Sequence, residues 1–167
     1  MNDNHGTRDG PSRLLRVSAA ALVTAQFVLL ALLATYPRAA TASLASVIAG
    51  GLLITCGLSL ALAAAPSLGR ALTVSPIPTH RGGLRTNGLY RFLRHPMYAG
   101  VILAGVGLVL MGQTWIHVAA VTALAVVLTF KIRIEEEHLR ALYPDYHDYA
   151  RSVGAIVPHL RQRPTRR

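Results

Sequence analysis

Residues 94–137 read RHPMYAGVILAGVGLVLMGQTWIHVAAVTALAVVLTFKIRIEEE, and the fold turns on how this stretch divides. Apolar residues run from Met97 to Met111 and again from Trp115 to Ile134, with only Gly112-Gln113-Thr114 between them. The second run is long enough to cross a hydrocarbon core of about 30 Å at about 1.5 Å per residue, whereas the first is short for a full crossing. So tight a connection predicts an antiparallel helical hairpin. It returns the acidic Glu135-Glu136-Glu137 to the end where Arg94-His95 stands.

Two further apolar runs lie upstream, from Val17 to Tyr36 and from Ser43 to Ala65. Arg13, Arg16 and an Ala40-Thr41-Ala42 step give the first some features of a signal peptide, but it exceeds the usual h-region of about 7–15 residues and is read as a membrane helix. In the second run Gly50, Gly51, Gly57 and the many alanines suit close helix contact, and Pro66 is expected to end it. The chain is thus predicted to be an all-α integral membrane protein with four transmembrane helices and a C-terminal helical tail that breaks at Pro144. Its expected organisation is a disordered segment 1–12, helices one and two over 13–66, a core over 67–158 holding a long loop, helices three and four and a lid, and a basic tail over 159–167.

Composition agrees. Of 167 residues, 52% are hydrophobic and 14% charged, and no acidic side chain occurs from Gly10 to Ile134. A water-facing surface rarely goes so far without one. The net charge of +10 lies on arginines between apolar runs, which favours anionic lipid headgroups over nucleic acid. Arginines cluster before helix one, in the loop between helices two and three, and after helix four, while the two opposite connections carry only Arg38. The positive-inside rule therefore predicts both termini in the cytoplasm of a cell whose inner membrane holds four spans. Cys56 and His117 lie in apolar runs and read as packing residues, and the remaining histidines show no metal-ligand spacing.

Chemistry is expected at one membrane face, in residues 90–98 and in the tail from Glu135 to Tyr149. Pro96 suits the first position of helix three, where its missing N–H costs nothing. The free N–H groups of that helix start, with Arg94 and His95 beside them, form an anion-binding corner. Arg81, Arg85 and Arg91 read as interfacial anchors. Taken alone, Glu135 to Glu137 read as a solvated helical turn with Glu136 and Arg140 paired at i,i+4, and the tail tyrosines as interfacial aromatics.

Together these segments resemble the isoprenylcysteine carboxyl methyltransferase family and the related bacterial phospholipid N-methyltransferases. The resemblance rests on Leu84 with Gly88-Leu89-Tyr90, then Arg94-His95-Pro96-Met97-Tyr98-Ala99-Gly100, then Glu135-Glu136-Glu137-His138-Leu139, then Tyr146-His147-Asp148-Tyr149 and Pro158. It covers about half the chain. Leu89 stands where a proline is common, the Tyr143-Pro144-Asp145-Tyr146 segment is one residue longer, and Ala155-Ile156 replace a usual arginine-containing step.

The resemblance implies S-adenosylmethionine as methyl donor and a lipophilic acceptor. It implies that His95, Pro96, Tyr98, Gly100, Glu136, Tyr146, Tyr149 and Tyr90 bind the donor. The donor's carboxylate suits the corner at His95, its ammonium suits Glu136 or else Glu135, and its adenine suits a wall from Tyr98, Tyr146 or Tyr149. Arg94 and Glu135 are the catalytic candidates. Arg94 would align an acceptor carboxylate, which is ionised at neutral pH and needs no base. If the acceptor is the amine of phosphatidylethanolamine, Glu135 or His95 would take its proton. The sixteen-to-one ratio of arginine to lysine points to a GC-rich bacterial genome and so to a small lipid or isoprenoid acid. Two other readings are an NADPH-dependent sterol-type reductase, which shares an Arg-His-Pro-like segment, and a non-enzymatic membrane scaffold; binding of NADPH alone, or of neither nucleotide, would mark them.

Overall fold

The computed structural model describes residues 12–68, 75 and 83–158, and these are helical with one isolated bridge. The expectations for segment 1–11, for most of the loop between helices two and three, and for the tail 159–167 lie outside the described residues. Helix α1 spans Arg13–Thr35, opened by Ser12, whose Oγ accepts the Leu15 N–H at 3.3 Å. It stops because Pro37 forces Tyr36 into extended backbone (φ −64°, ψ 137°). Helix α2 spans Leu44–Leu68. Pro66 was expected to end it but sits inside its last turn; it forfeits the ladder bond to the Leu62 carbonyl, and the helix closes two residues later.

Helix α3, Pro96–Gly112, carries proline at its first position and ends on Gln113 in the left-handed region (φ 52°). Thr114 then caps α4, Trp115–Leu142. The expected hairpin forms. At its closed end the His117 ring fills the space where a side chain on Gly112 would stand. His117 Nδ1 lies 2.7 Å from Thr114 Oγ1, and Tyr36 meets the ring edge-on at 5.7 Å. Helix α4 runs on unbroken past Ile134 into the acidic segment and breaks only at Tyr143-Pro144-Asp145 before the short α5, Tyr146–Ser152.

Helices α1, α2 and α4 are long and apolar enough to cross a membrane; α3, at 17 residues, is shorter. Large apolar side chains such as Phe27, Val28, Leu52, Leu62 and Val126 face outward, as lipid contact requires. With no hydrophobic force between helices in lipid, backbone approach and packing must hold them together. Helices α2 and α3 meet through glycines: Gly50 lies against Gly107, and Gly57 against Gly100 and Ala104. This antiparallel register, with a glycine from each helix at levels seven residues apart, leaves no room for a Cβ at any of the four. Gly51, expected to share that contact, faces open space instead, because a neighbouring helical position points about 100° away. On the other side α1 packs on α4 through Leu33, Ala120, Leu124 and Leu128, with Tyr98, Val101 and Ile102 of α3 against them.

Candidate active site

The chain before α3 makes a 3-10 turn at Gly88–Arg91 and then an extended strip, Leu93-Arg94-His95. The strip is held by the far end of the chain. After α5 the backbone returns beside it as a parallel bridge between Leu93 and Gly154, the Arg94 N–H donates to Gly154 O (2.8 Å), and the His95 N–H donates to Ala155 O (2.9 Å). Buried N–H groups need such partners. Here they fix the direction in which Arg94 and His95 leave the backbone.

Both side chains meet α4. The His95 ring, 3% exposed, lies between two consecutive carboxylates, with Nε2 3.2 Å from Glu136 Oε1 and Nδ1 3.6 Å from Glu135 Oε2. Glu136 also receives Arg94 Nη1 on Oε1 and Arg140 Nη2 on Oε2, the latter at 2.9 Å. Two guanidinium groups and an imidazole thus surround this one buried carboxylate. Glu135 takes the Tyr98 hydroxyl at 3.1 Å. Tyr98 stacks on His95 with centroids 5.6 Å apart and planes 15° from parallel, as an i,i+3 neighbour on the first turn of α3 can. Pro96 is buried at that helix start.

The tail supplies the remaining wall. Tyr146 is 1% exposed, its ring meets Tyr149 edge-on at 5.9 Å, and the Tyr149 hydroxyl donates to Tyr90 O at 2.6 Å, tying α5 to the 3-10 turn. Burial first, and the charge of Glu136 second, push the Tyr146 hydroxyl up to about 12. Burial likewise raises Tyr90 and Tyr149 well above the usual phenol range. Among the described residues, the buried Arg94 Nε and Tyr146 Oη make no hydrogen bond of standard geometry, although the Arg94 charge acts on the Tyr146 hydroxyl. Buried polar atoms of this kind are rare in folded proteins.

Nine of the ten residues singled out in the sequence therefore converge at this end of the bundle: Tyr90, Arg94, His95, Pro96, Tyr98, Glu135, Glu136, Tyr146 and Tyr149. Gly100 does not. It faces Gly57 and Ala61 of α2, where its role is helix packing. Sequence reading missed Lys131, buried at 1% exposure, whose Nζ donates to Gln26 Oε1 of α1 and lies 5.2 Å from the Tyr98 ring centroid. The available signal was that Lys131 is the one lysine of the chain and Gln26 a lone amide in an apolar run. The carbonyls of Gly154 and Ala155 were also missed, and main-chain acceptors leave no mark in a sequence.

Comparison with known proteins gives this arrangement a context. Residues 45–146 match the family model described as phospholipid methyltransferase. Over 112 residues the chain is 37% identical to the cobalt-zinc-cadmium resistance protein CzcN of Cupriavidus metallidurans, covering 65% of this chain and 50% of that protein. It is 31% identical over 84 residues to methanethiol S-methyltransferase of Pseudomonas deceptionensis, covering 50% of this chain and 31% of that one. With protein-S-isoprenylcysteine O-methyltransferase A of Arabidopsis thaliana it shares 38% over 82 residues, covering 47% of this chain and 41% of that one. The chain thus spans half or less of the length of each of these relatives.

Proposed function

We propose that this chain, which belongs to the phospholipid methyltransferase family, is an S-adenosylmethionine-dependent enzyme that methylates a carboxylate on a lipophilic or isoprenoid acceptor. In this reading the shorter α3 crosses the inner membrane of a bacterium together with α1, α2 and α4, both termini are cytoplasmic, and the reaction occurs at the cytoplasmic face. The observation that carries it is the convergence of Arg94, His95, Glu135 and Glu136 at one end of the bundle, with the buried Tyr146 hydroxyl beside them.

The residues present fit the donor. Its amino-acid end carries a carboxylate and an ammonium side by side, and the site offers the α3 start at His95 and the Tyr146 hydroxyl next to the carboxylates of Glu135 and Glu136. Tyr98 and Tyr149, half-buried, offer aromatic surface for the adenine with the buried Tyr146 and Tyr90 behind them, and His95 and Pro96 set the helix start beside it. When bound, the donor supplies an electrophilic methyl group on a sulfonium sulfur.

The chain's own residues then have three tasks. Glu136, with His95, binds the donor's charged end. Arg94 aligns the acceptor carboxylate, for which a guanidinium fork is well shaped. Helix α5 and the Val153–Ala155 strip cover the site and exclude water, which in-line displacement between opposite charges requires.

A second reading, N-methylation of phosphatidylethanolamine, is favoured by the closeness of Glu135 to His95, since an amine acceptor needs a base at hand. Membrane lipids incubated with purified protein and isotopically labelled S-adenosylmethionine, followed by mass spectrometry, separate the two. A labelled methyl ester supports carboxylate methylation, and labelled phosphatidylethanolamine supports the second reading. Binding of NADPH in place of the methyl donor, or of neither, contradicts both.

A further inference from the structure

The chain holds sixteen arginines and a single lysine, and that lysine is among its most completely buried side chains. Lys131 lies on α4 one helical turn before Glu135, on the side toward the apolar body of the helix. Its one hydrogen-bond acceptor among the described residues is Gln26 Oε1, at 2.5 Å, and Gln26 is itself 8% exposed near the middle of α1. The face of Tyr98 covers the ammonium from α3. No carboxylate forms an ion pair with it: among the described residues Glu135 is engaged by His95 and Tyr98, and Glu136 by Arg94, His95 and Arg140. Glu135, one turn further along α4, acts on the ammonium only at longer range and is shared with His95 and Tyr98, so the direct partners of Lys131 are a neutral amide and an aromatic face; ionisable residues so placed inside a membrane bundle mark ligand paths. Gln26 lies on α1, outside the residues 45–146 that match the family model, and Lys131 lies within them.

We infer that Lys131, held by Gln26 and Tyr98, is the binding position for the acidic head of the methyl acceptor and selects acids over amines and alcohols of the same chain length. The inference rests on the methyltransferase reading and deepens it. Lys131 stands a turn closer to the apolar interior than Glu135 and meets an acid arriving from the bilayer before Arg94 does. A compact ammonium suits this task, because one anionic oxygen can approach it from several directions while Gln26 keeps it fixed. The same charge disfavours an amine head, so Lys131 is a specificity-determining residue and not a proton carrier.

The test uses the full chain in lipid nanodiscs. A fluorescent long-chain fatty acid, the matching alcohol and the matching amine are titrated without donor, and methyl transfer to the unlabelled acid and binding of labelled S-adenosylmethionine are measured separately. Wild type is expected to favour the acid by about tenfold or more. Lys131→Met is expected to erase that preference and raise the acceptor KM about tenfold, with donor affinity kept within about twofold. Gln26→Glu gives the lysine an internal counter-ion and is expected to do the same, which guards against a folding defect in either variant; unchanged donor binding certifies the fold. Retention of the acid preference and KM in both variants, or a wild type that does not distinguish acid from alcohol, overturns the inference. A wild type that selects the acid but binds no donor leaves the acid site standing and overturns the methyltransferase reading instead.

Discussion

Arg94 and Glu136, 42 residues apart in the chain, form a side-chain ion pair in which both groups are largely buried, at 13% and 10% exposure. The pair joins the strip before α3 to the last turns of α4, and His95 and Arg140 bind the same carboxylate. Removing the carboxylate leaves a buried guanidinium without its partner, a change of about 3–5 kcal/mol in comparable buried pairs. Glu136→Ala is therefore expected to lower the unfolding midpoint in detergent and to weaken donor binding. His95→Ala is expected to weaken donor binding as well, and Arg94→Ala mainly to slow transfer. Parallel melting curves, donor titrations and single-turnover rates check the three variants.

The glycine contact between α2 and α3 gives a second expectation. A Cβ at Gly57 or Gly100 meets main-chain atoms of the facing helix, which cannot swing aside as a flexible side chain would. Gly57→Ala and Gly100→Ala are each expected to destabilise the protein by about 1–3 kcal/mol, the usual range for overpacking. Gly51→Ala, with open space around it, is expected to have no such effect. Thermal unfolding of the three variants distinguishes the sites.

Much of this geometry was legible in the sequence, and the parts that were not have physical reasons. The three-residue link between Met111 and Trp115 left no freedom in where Glu136 would return, so its meeting with Arg94 followed from chain length and helical rise. Which glycine faces α3 depends on helix rotation, which a stretch as uniformly apolar as Ser43 to Ala65 does not encode; hence Gly50 and Gly57 make the contact and Gly51 does not. Gly100 stood in a site motif, yet its lack of a side chain serves the α2 contact. Pro66 lies two residues before the end of α2, so it marks that end only approximately. The bridge at Leu93 and Gly154 and the Lys131–Gln26 pair are long-range contacts without a periodic signal, and only the fold reveals them.

Tyr149 supplies a third test. Its hydroxyl bond to the Tyr90 carbonyl is one of the ties that hold α5 over the site. Tyr149→Phe removes a bond worth about 0.5–1.5 kcal/mol. Faster amide hydrogen exchange is expected at Arg94 and His95, whose N–H groups bind the returning tail, with little change in α1 or α2. Exchange that stays as in wild type at those two amides would contradict the lid role.

The phenols predict a pH dependence. The Tyr146 hydroxyl rises from its ordinary 10.0 to about 12 in the folded protein, and Tyr90 and Tyr149 rise further, so the folded state holds these protons more tightly than the unfolded chain does. The stability they contribute is complete below pH 10 and falls as pH climbs from 10 toward 12. Tyr146→Phe is expected to make that alkaline decline shallower and to leave stability near neutrality without a new pH dependence. Unfolding midpoints measured across this range check it.

In the proposed enzyme the basic strip before α3 and the acidic turns of α4 wall a site for the charged end of a methyl donor. Equilibrium binding of labelled S-adenosylmethionine to wild type and to Glu136→Gln measures this site, because the amide keeps the shape and removes the charge. Saturable binding by wild type, weakened about tenfold or more in the variant, is the predicted result. Equal affinity in the two proteins, or no binding to wild type, would contradict the account.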